Sequence, residues 1–122
     1  MDDEGLSDAQ RERLRDDLLT LQAELTRLVR DDAGLTATVV LDQSAVGRVS
    51  RIDAIQQQAT AKAIQRRHGQ RLERVQAALE RLEEDPEDYG WCPDCGELIA
   101  WRRLLAFPDA VLCVACQTRR GL

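Results

Sequence analysis

The chain has 122 residues and a formal net charge of −5; 32% of its residues are charged and only 3% are aromatic. Every aromatic residue and all four cysteines lie after residue 88. The first two-thirds of the chain therefore has no aromatic side chains with which to build a core. This composition argues against a compact globular enzyme, and the acidic charge argues against non-specific nucleic-acid binding, which needs a basic surface.

The sequence also lacks the usual signals for membranes and secretion. The longest uncharged run near Ala33–Leu41 is about half of the roughly twenty residues that a membrane helix needs. The acidic start, Met1-Asp2-Asp3-Glu4, differs from the basic start of a signal peptide. We therefore expect a cytoplasmic protein that does not contact a membrane.

A first helix is predicted over about residues 8–30. Ser7 and Gln10 have the spacing of a capping box, and the acidic residues that follow suit the positive end of a helix dipole. A heptad seam then runs through Leu14, Leu18, Leu21, Leu25 and Leu28. Residues 31–50 are interpreted as an irregular connection, although residues 36–41 have the β-branched content of a short strand.

A second, longer helix is predicted from an N-cap at Ser50, with Asp53 in its first turn, to about Glu84. Pro86 ends it, because proline disfavours helix at the residue before it. Its clearest seam is His68, Leu72, Val75, Leu79 and Leu82, extended less regularly backwards through Ile64, Ala61, Ile55 and Ile52.

Two seams in one chain predict a mainly α fold with an antiparallel coiled-coil helical hairpin over residues 1–85. Because the second helix is the longer one, a projecting tip is expected near residues 42–55. Pairing of the leucines between chains, as in a helical adaptor or oligomer, is the alternative to the predicted monomer.

The second helix is rich in basic residues. Residues 48–81 carry eight basic and three acidic side chains, whereas residues 1–17 carry three basic and seven acidic ones. A candidate basic docking strip for an acidic partner contains Lys62, Arg66, Arg67, Arg71 and Arg74; a plain solvated face is the simpler interpretation. The single histidine, His68, is assigned to packing in the seam.

The four cysteines form two C-x2-C pairs, Cys92/Cys95 and Cys113/Cys116, separated by seventeen residues. This spacing is typical of a four-thiolate zinc site, in which each tight turn directs two sulfurs at one ion. Gly96 allows the positive φ of such a turn, and the second pair is predicted to open a short helix to Arg120. Iron remains an alternative to zinc, whereas disulfides are rare in the cytosol.

A zinc ion held by four sulfurs has no open coordination position, so it is structural and not catalytic. The predicted module over residues 86–122 would pack Trp91, Trp101, Leu104, Leu105 and Phe107 around the site. No nucleophile–base pair or phosphate loop occurs elsewhere, and no enzyme activity is expected.

The stretch Tyr89–Ile99, together with Arg102-Arg103-Leu104, Pro108 and Leu112–Cys116, resembles the DksA/TraR family of four-cysteine zinc fingers. Residues 42–54 are similar to the hairpin-tip segment of its short members. The resemblance implies a transcription regulator that binds bacterial RNA polymerase rather than specific DNA, with a coiled coil inserted into the secondary channel and an acidic tip near the active site.

The resemblance also assigns individual residues. Asp53 matches one tip aspartate, Ser50 stands where the family's type member has the other, and Arg51 lies between them in the expected partner-binding tip. Ile55 replaces a small alanine. Basic residues that help to bind guanosine tetraphosphate are replaced by Phe107 and Gln117, whereas Arg74 matches a third, so a weak or absent response to that nucleotide is expected.

A zinc-ribbon nucleic-acid-binding protein is the alternative from another class. It would need a basic surface around the finger, but residues 86–122 carry four arginines and five acidic residues. A steep loss of DNA affinity with salt would support that alternative. The sequence leaves open whether the regulator activates or represses transcription and which promoters respond.

Overall fold

The computed structural model of the chain describes residues 5–38 and 48–121, and these residues are mainly helical. Two long helices, α1 (Asp8–Thr38) and α2 (Arg48–Glu84), precede two short ones, α3 (Trp101–Ala106) and α4 (Val114–Arg120). In this part of the chain the only β pairing is an isolated antiparallel bridge between Trp91 and Leu98. The predicted fold class, an antiparallel helical hairpin followed by a small four-cysteine module and a terminal helix, is confirmed.

Helix α1 begins with the predicted capping box. The backbone N–H of Ser7 donates to Gln10 Oε1 at 2.9 Å, and the N–H of Gln10 donates to Ser7 Oγ at 3.1 Å. The helix continues to Thr38, so the predicted end near residue 30 is wrong. Gly34 costs about 1 kcal/mol in a helix, and beyond the predicted end Asp32 contacts His68 of α2.

Helix α2 begins at Arg48, so the prediction of Ser50 as its N-cap is wrong. Neither Arg48 nor Val49 is a helix breaker, and both extend the helix before Ser50. Its end at Glu84 agrees with the prediction. Residues 36–38 are helical and not a strand, and the rest of the predicted connection, residues 39–47, lies outside the described residues.

The predicted leucine seam of α1 is confirmed. Leu14 and Leu18 are fully buried, Leu25 is 3% exposed, and Leu21 and Leu28 are half-buried. On α2 the seam holds from His68 to Leu82. Of its predicted backward extension, Ala61 is half-buried as expected, whereas the prediction is wrong for Ile52, Ile55 and Ile64, which are all exposed. Besides Ala63, the half-buried residues of this segment are Ala54, Gln58, Ala61 and Gln65.

These four positions continue the alternating spacing of three and four residues from His68. The seam therefore keeps its geometry, and its side chains change from leucine and valine to alanine and glutamine. The sequence favoured the isoleucines as seam residues because isoleucine is more apolar than alanine or glutamine. In the structure they lie off the seam and are exposed to solvent. The start of α2 therefore exposes two isoleucines three residues apart, Ile52 and Ile55.

By compactness the chain divides into two units, one of residues 1–22 and 74–122 and the other of residues 23–73. The first unit has a dense apolar core, to which the long helices contribute Leu14, Leu18, Val75, Ala78 and Leu82. In the described part of the second unit only Leu25 is buried among the large apolar side chains. The predicted boundary between residues 85 and 86 stays a prediction.

The second unit contains a polar contact between its two helices. His68 Nδ1 lies 2.6 Å from Asp32 Oδ2, and the two side chains are 29% and 13% exposed. His68 therefore occupies the seam as a hydrogen-bonding partner and not only as packing. A polar contact within a seam is a known means of fixing the register of a coiled coil at some cost in stability.

We expect Asp32 and His68 to be energetically coupled. In urea unfolding, the double variant Asp32→Asn/His68→Gln should lose less stability than the sum of the single variants, with a coupling of roughly 0.5–3 kcal/mol. Asp31→Asn is the matched control, because Asp31 is exposed and its pair with Arg27 at 3.4 Å is a surface contact worth about 0.3–0.5 kcal/mol. Additive losses at Asp32 and His68 would contradict the assigned contact.

Among the described residues, no helix combines the length and apolar character that crossing a membrane requires.

Candidate metal centre

The first cysteine pair sits on a tight turn. The N–H of Gly96 donates to the carbonyl of Cys92 at 2.8 Å, and the N–H of Cys92 donates to the carbonyl of Glu97 at 2.8 Å. Gly96 has φ 74°, the left-handed conformation predicted for it, which costs a residue with a side chain more than it costs glycine. The turn brings Cys92 and Cys95 to one side of the backbone.

The second cysteine pair opens helix α4, as the sequence predicts. Cys113 is the N-cap, and its sulfur accepts a hydrogen bond from the N–H of Cys116 at 3.4 Å. The N-terminal end of a helix favours negative charge, so this position suits a thiolate. The helix ends at Arg120, and its C-cap, Gly121, also has a φ of 74°.

The structure brings all four predicted ligands together. The sulfurs of Cys92, Cys95, Cys113 and Cys116 lie within 4.8 Å of one another, and the Cys95 and Cys113 sulfurs are 3.8 Å apart. A tetrahedral site with Zn–S distances of about 2.3 Å has S–S edges of about 3.8 Å. The residues therefore fit one zinc ion.

The electrostatics of the cluster also fit a cation. A backbone hydrogen bond from Cys113 lowers the pKa of the Cys92 thiol to about 6, although burial opposes the shift. Burial raises the pKa of Cys116 to about 12, and hydrogen bonds with the other three thiols add to the rise. Four thiolates so close together repel one another, and a divalent ion supplies the compensating charge.

The packing around the cysteines differs in part from the prediction. Leu104 is fully buried, and Trp91 and Trp101 are half-buried, but Leu105 and Phe107 are 37% and 49% exposed. The prediction for Leu105 and Phe107 is wrong because α3 directs Leu104 into the core and leaves its neighbours outside. The core of the module instead contains Ile99, Leu112 and Tyr89, which are buried.

Tyr89 connects the start of the module to the loop after α3. Its hydroxyl donates to the carbonyl of Pro108, and its ring lies 5.2 Å from the Arg81 guanidinium carbon on α2. Burial raises the pKa of Tyr89 to about 12, partly offset by the positive charge of Arg81. The folded state therefore favours the neutral phenol.

This shift predicts a delayed tyrosine titration, which absorbance can follow directly because Tyr89 is the only tyrosine. Tyrosinate should form near pH 10 in denaturant and about two pH units later in the native protein. Because the folded pKa is the higher one, the stability due to Tyr89 is complete below pH 10 and is lost as the pH rises toward 12. A native titration centred at pH 10 would contradict the burial of the hydroxyl.

The sequence did not predict several polar contacts that Arg103 makes near the cysteines. Arg103 of α3 donates from Nε to the carbonyl of Leu112 at 3.0 Å and from Nη2 to the side chain of Gln117. Its guanidinium carbon also lies 5.7 Å from the Phe107 ring. Side-chain spacing along the chain gives no signal for these contacts, because they depend on how α3 packs against α4.

The remaining candidate site residues lie on α2. Asp53 and Arg51 are exposed, and Ser50 is a helical residue. Asp53 borders an open groove whose described lining also includes Gln56, Gln57, Thr60, Ala61 and Ile64. None of these observations tests the predicted tip role.

In the candidate basic docking strip, Arg66, Arg67 and Arg74 are exposed and Arg71 is half-buried. Arg74 also approaches the buried carboxylate of Asp109, with Nε 3.7 Å from Oδ2. The docking role of the strip stays a prediction.

The fold and the site define a class, a helical-hairpin protein that carries a four-cysteine zinc finger. Residues 87–120 match the family described as prokaryotic dksA/traR C4-type zinc finger. The chain is similar over most of its length to the solved structure of transcription factor DksA2 from Pseudomonas aeruginosa, with a TM-score of 0.75, 30% identity, and coverage of 94% of this chain and 85% of that one. This chain belongs to the DksA/TraR family.

Curated relatives agree with this assignment. A protein of Haemophilus influenzae named RNA polymerase-binding transcription factor DksA is 45% identical over 47 residues, which cover 38% of this chain and 31% of that protein. The protein of the same name in Escherichia coli K12 is 32% identical over 92 residues, which cover 74% and 60%. The chain thus spans less than two-thirds of the length of these curated relatives, which are named as transcription factors and not as enzymes.

Proposed function

We propose that this protein binds bacterial RNA polymerase and regulates transcription, with the start of α2 placed in the secondary channel and Asp53 near the active site. The observation that carries the proposal is the structural similarity to transcription factor DksA2 over 94% of the chain. The curated relatives bind RNA polymerase according to their names, and the channel placement follows the family resemblance. Such a protein acts in the cytoplasm, as a monomer.

The surface of α2 near Asp53 supports a protein partner. Ile52 and Ile55, one residue before and two residues after Asp53, are 48% and 55% exposed. Exposed isoleucines become dehydrated when a partner covers them, which contributes about 25 cal/mol per Å² of apolar area. Asp53 itself is exposed, so its carboxylate is available to contact polymerase groups.

Co-elution with purified bacterial RNA polymerase tests the proposal. The zinc-loaded chain should migrate with the polymerase in gel filtration and compete for it with a channel-binding relative. Failure to bind polymerase, combined with DNA binding that weakens steeply with salt, would favour the nucleic-acid alternative. Sedimentation of the chain alone as a dimer or larger species would instead favour the helical adaptor.

We expect the exposed arginines of the docking strip to speed association. The variant Arg66→Gln/Arg67→Gln should bind polymerase several-fold more weakly, mainly through a slower association rate, and the difference should shrink at high salt. The matched control is Arg102→Gln, which removes an exposed positive charge from α3. Equal affinity of the double variant and the wild type would show that the strip is only a solvated face.

The three positions related to guanosine tetraphosphate support a weak response to that nucleotide. Phe107 offers an aromatic ring in place of a cation, and Gln117 already accepts a hydrogen bond from Arg103. Arg74 is the remaining cation, and its positive charge is partly offset by the nearby carboxylate of Asp109. We propose that the transcriptional effect changes little when the nucleotide is added.

A further inference from the structure

A zinc ion with four thiolate ligands leaves the site with two excess negative charges. Donors outside the ligand set stabilise such charge, and they also hold the ligands in position. Backbone N–H groups supply part of this stabilisation, including the hydrogen bond from Cys116 to the Cys113 sulfur. Two arginines in the last turn of α4, Arg119 and Arg120, add side-chain contacts.

Arg119 contacts a ligand directly. Its Nη2 donates to the sulfur of Cys116 at 3.0 Å, and Cys116 is only 1% exposed. A guanidinium cannot lose its proton in proteins, so its positive charge faces the Cys116 sulfur at every working pH. A charge-assisted hydrogen bond of this kind is stronger than a neutral one.

Arg120 contacts the other cysteine turn. Its Nε donates to Asp94 Oδ2 at 2.7 Å, and its Nη2 donates to Asp94 Oδ1. Asp94 lies between Cys92 and Cys95, and its side chain is 23% exposed. The two-pronged pair therefore joins the helix that carries the second cysteine pair to the turn that carries the first. Such a pair has more geometric specificity than a single surface ion pair.

We propose that the last turn of α4 controls how tightly the finger retains zinc, with Arg119 stabilising the Cys116 thiolate and Arg120 fixing the first cysteine turn through Asp94. Both are positioning residues, since they act through ligands or through the turn that carries them. The arrangement requires α4 to extend one full turn beyond Cys116, which the structure provides up to Arg120.

Competition with a chromogenic chelator on the zinc-loaded full chain tests this proposal. Outer contacts of this kind are worth about 10- to 100-fold in metal affinity, so Arg119→Gln should weaken zinc affinity by about tenfold or more and speed zinc release. Arg119→Lys, which keeps the charge, should recover part of the loss. Arg102→Gln is the matched control and should retain wild-type affinity.

The Arg120–Asp94 pair calls for a double-mutant cycle. Arg120→Gln and Asp94→Asn should each weaken zinc binding, and the double variant should be no weaker than either one. Helical circular dichroism of the zinc-loaded variants checks that each one folds. Additive losses, or wild-type zinc affinity in both single variants, would overturn the role of the pair.

Cobalt substitution separates a contact with sulfur from general support of the fold. A hydrogen bond to a thiolate lowers the energy of its lone pairs, so its loss should move the sulfur-to-cobalt charge-transfer band of Arg119→Gln to longer wavelength. Arg120 donates to Asp94 and not to a sulfur, so Arg120→Gln should leave the wavelength of the band unchanged. An unshifted band and unchanged zinc affinity in Arg119→Gln would overturn the proposal.

Discussion

Removal of the metal is expected to unfold the cysteine module, and Cys116→Ser should have the same effect. Structural zinc contributes about 10–16 kcal/mol of binding free energy to folding, more than the total stability of many small domains. Apart from the cysteines, the buried apolar side chains of the module, Tyr89, Ile99, Leu104 and Leu112, are too few to hold four repelling sulfurs together without the ion. Fluorescence of Trp91 and Trp101 and near-ultraviolet circular dichroism report the loss.

The long helices should respond less than the module. Chelation should therefore abolish the near-ultraviolet signal while much of the far-ultraviolet helical signal remains. Added zinc should restore the tertiary signal, whereas magnesium, which prefers oxygen ligands, should not. A metal-free chain that keeps the native tryptophan signal would contradict a structural role for zinc.

Asp53→Asn is expected to abolish most of the transcriptional effect in a reconstituted assay with purified polymerase. The substitution removes the negative charge and keeps the size of the side chain. Because Asp53 is exposed on α2, folding should be unaffected. Affinity for polymerase should also change little, since the proposed task of Asp53 is to act at the end of the inserted hairpin and not to hold the complex together.

The control for this variant is Asp31→Asn, which removes an exposed charge from α1 and should leave the transcriptional effect unchanged. Equal activity of Asp53→Asn and the wild type would contradict the tip role.

The sequence predicted the elements whose signals are local. Leu14, Leu18 and Leu25 show a heptad period that only a helix satisfies, and Ser7 with Gln10 gives a capping box that needs no tertiary information. The cysteine pairs were equally informative, because two residues between ligands fit a single tight turn. The class of the fold and the metal ligands could therefore be inferred before the structure was known.

The features that sequence could not predict depend on contacts between distant residues. Helix α1 continues past residue 30, where Asp32 contacts His68, 36 residues further along the chain. Local helix propensity cannot predict a contact between residues so far apart in sequence. At the start of α2 the half-buried residues include Gln58 and Gln65 and not the isoleucines, because the alternating spacing of three and four residues decides which positions lie in the seam. Arg120 and Asp94 are likewise 26 residues apart.

The central claim, that the start of α2 reaches the interior of RNA polymerase, is tested most directly by crosslinking from position 53. A photoreactive residue placed there in the zinc-loaded protein, bound to polymerase, should crosslink to polymerase segments that line the channel beside the active site. A probe placed instead at Arg102 on α3 should not reach those segments. Crosslinks from position 53 only to the outer surface of the polymerase, or to DNA, would contradict the account.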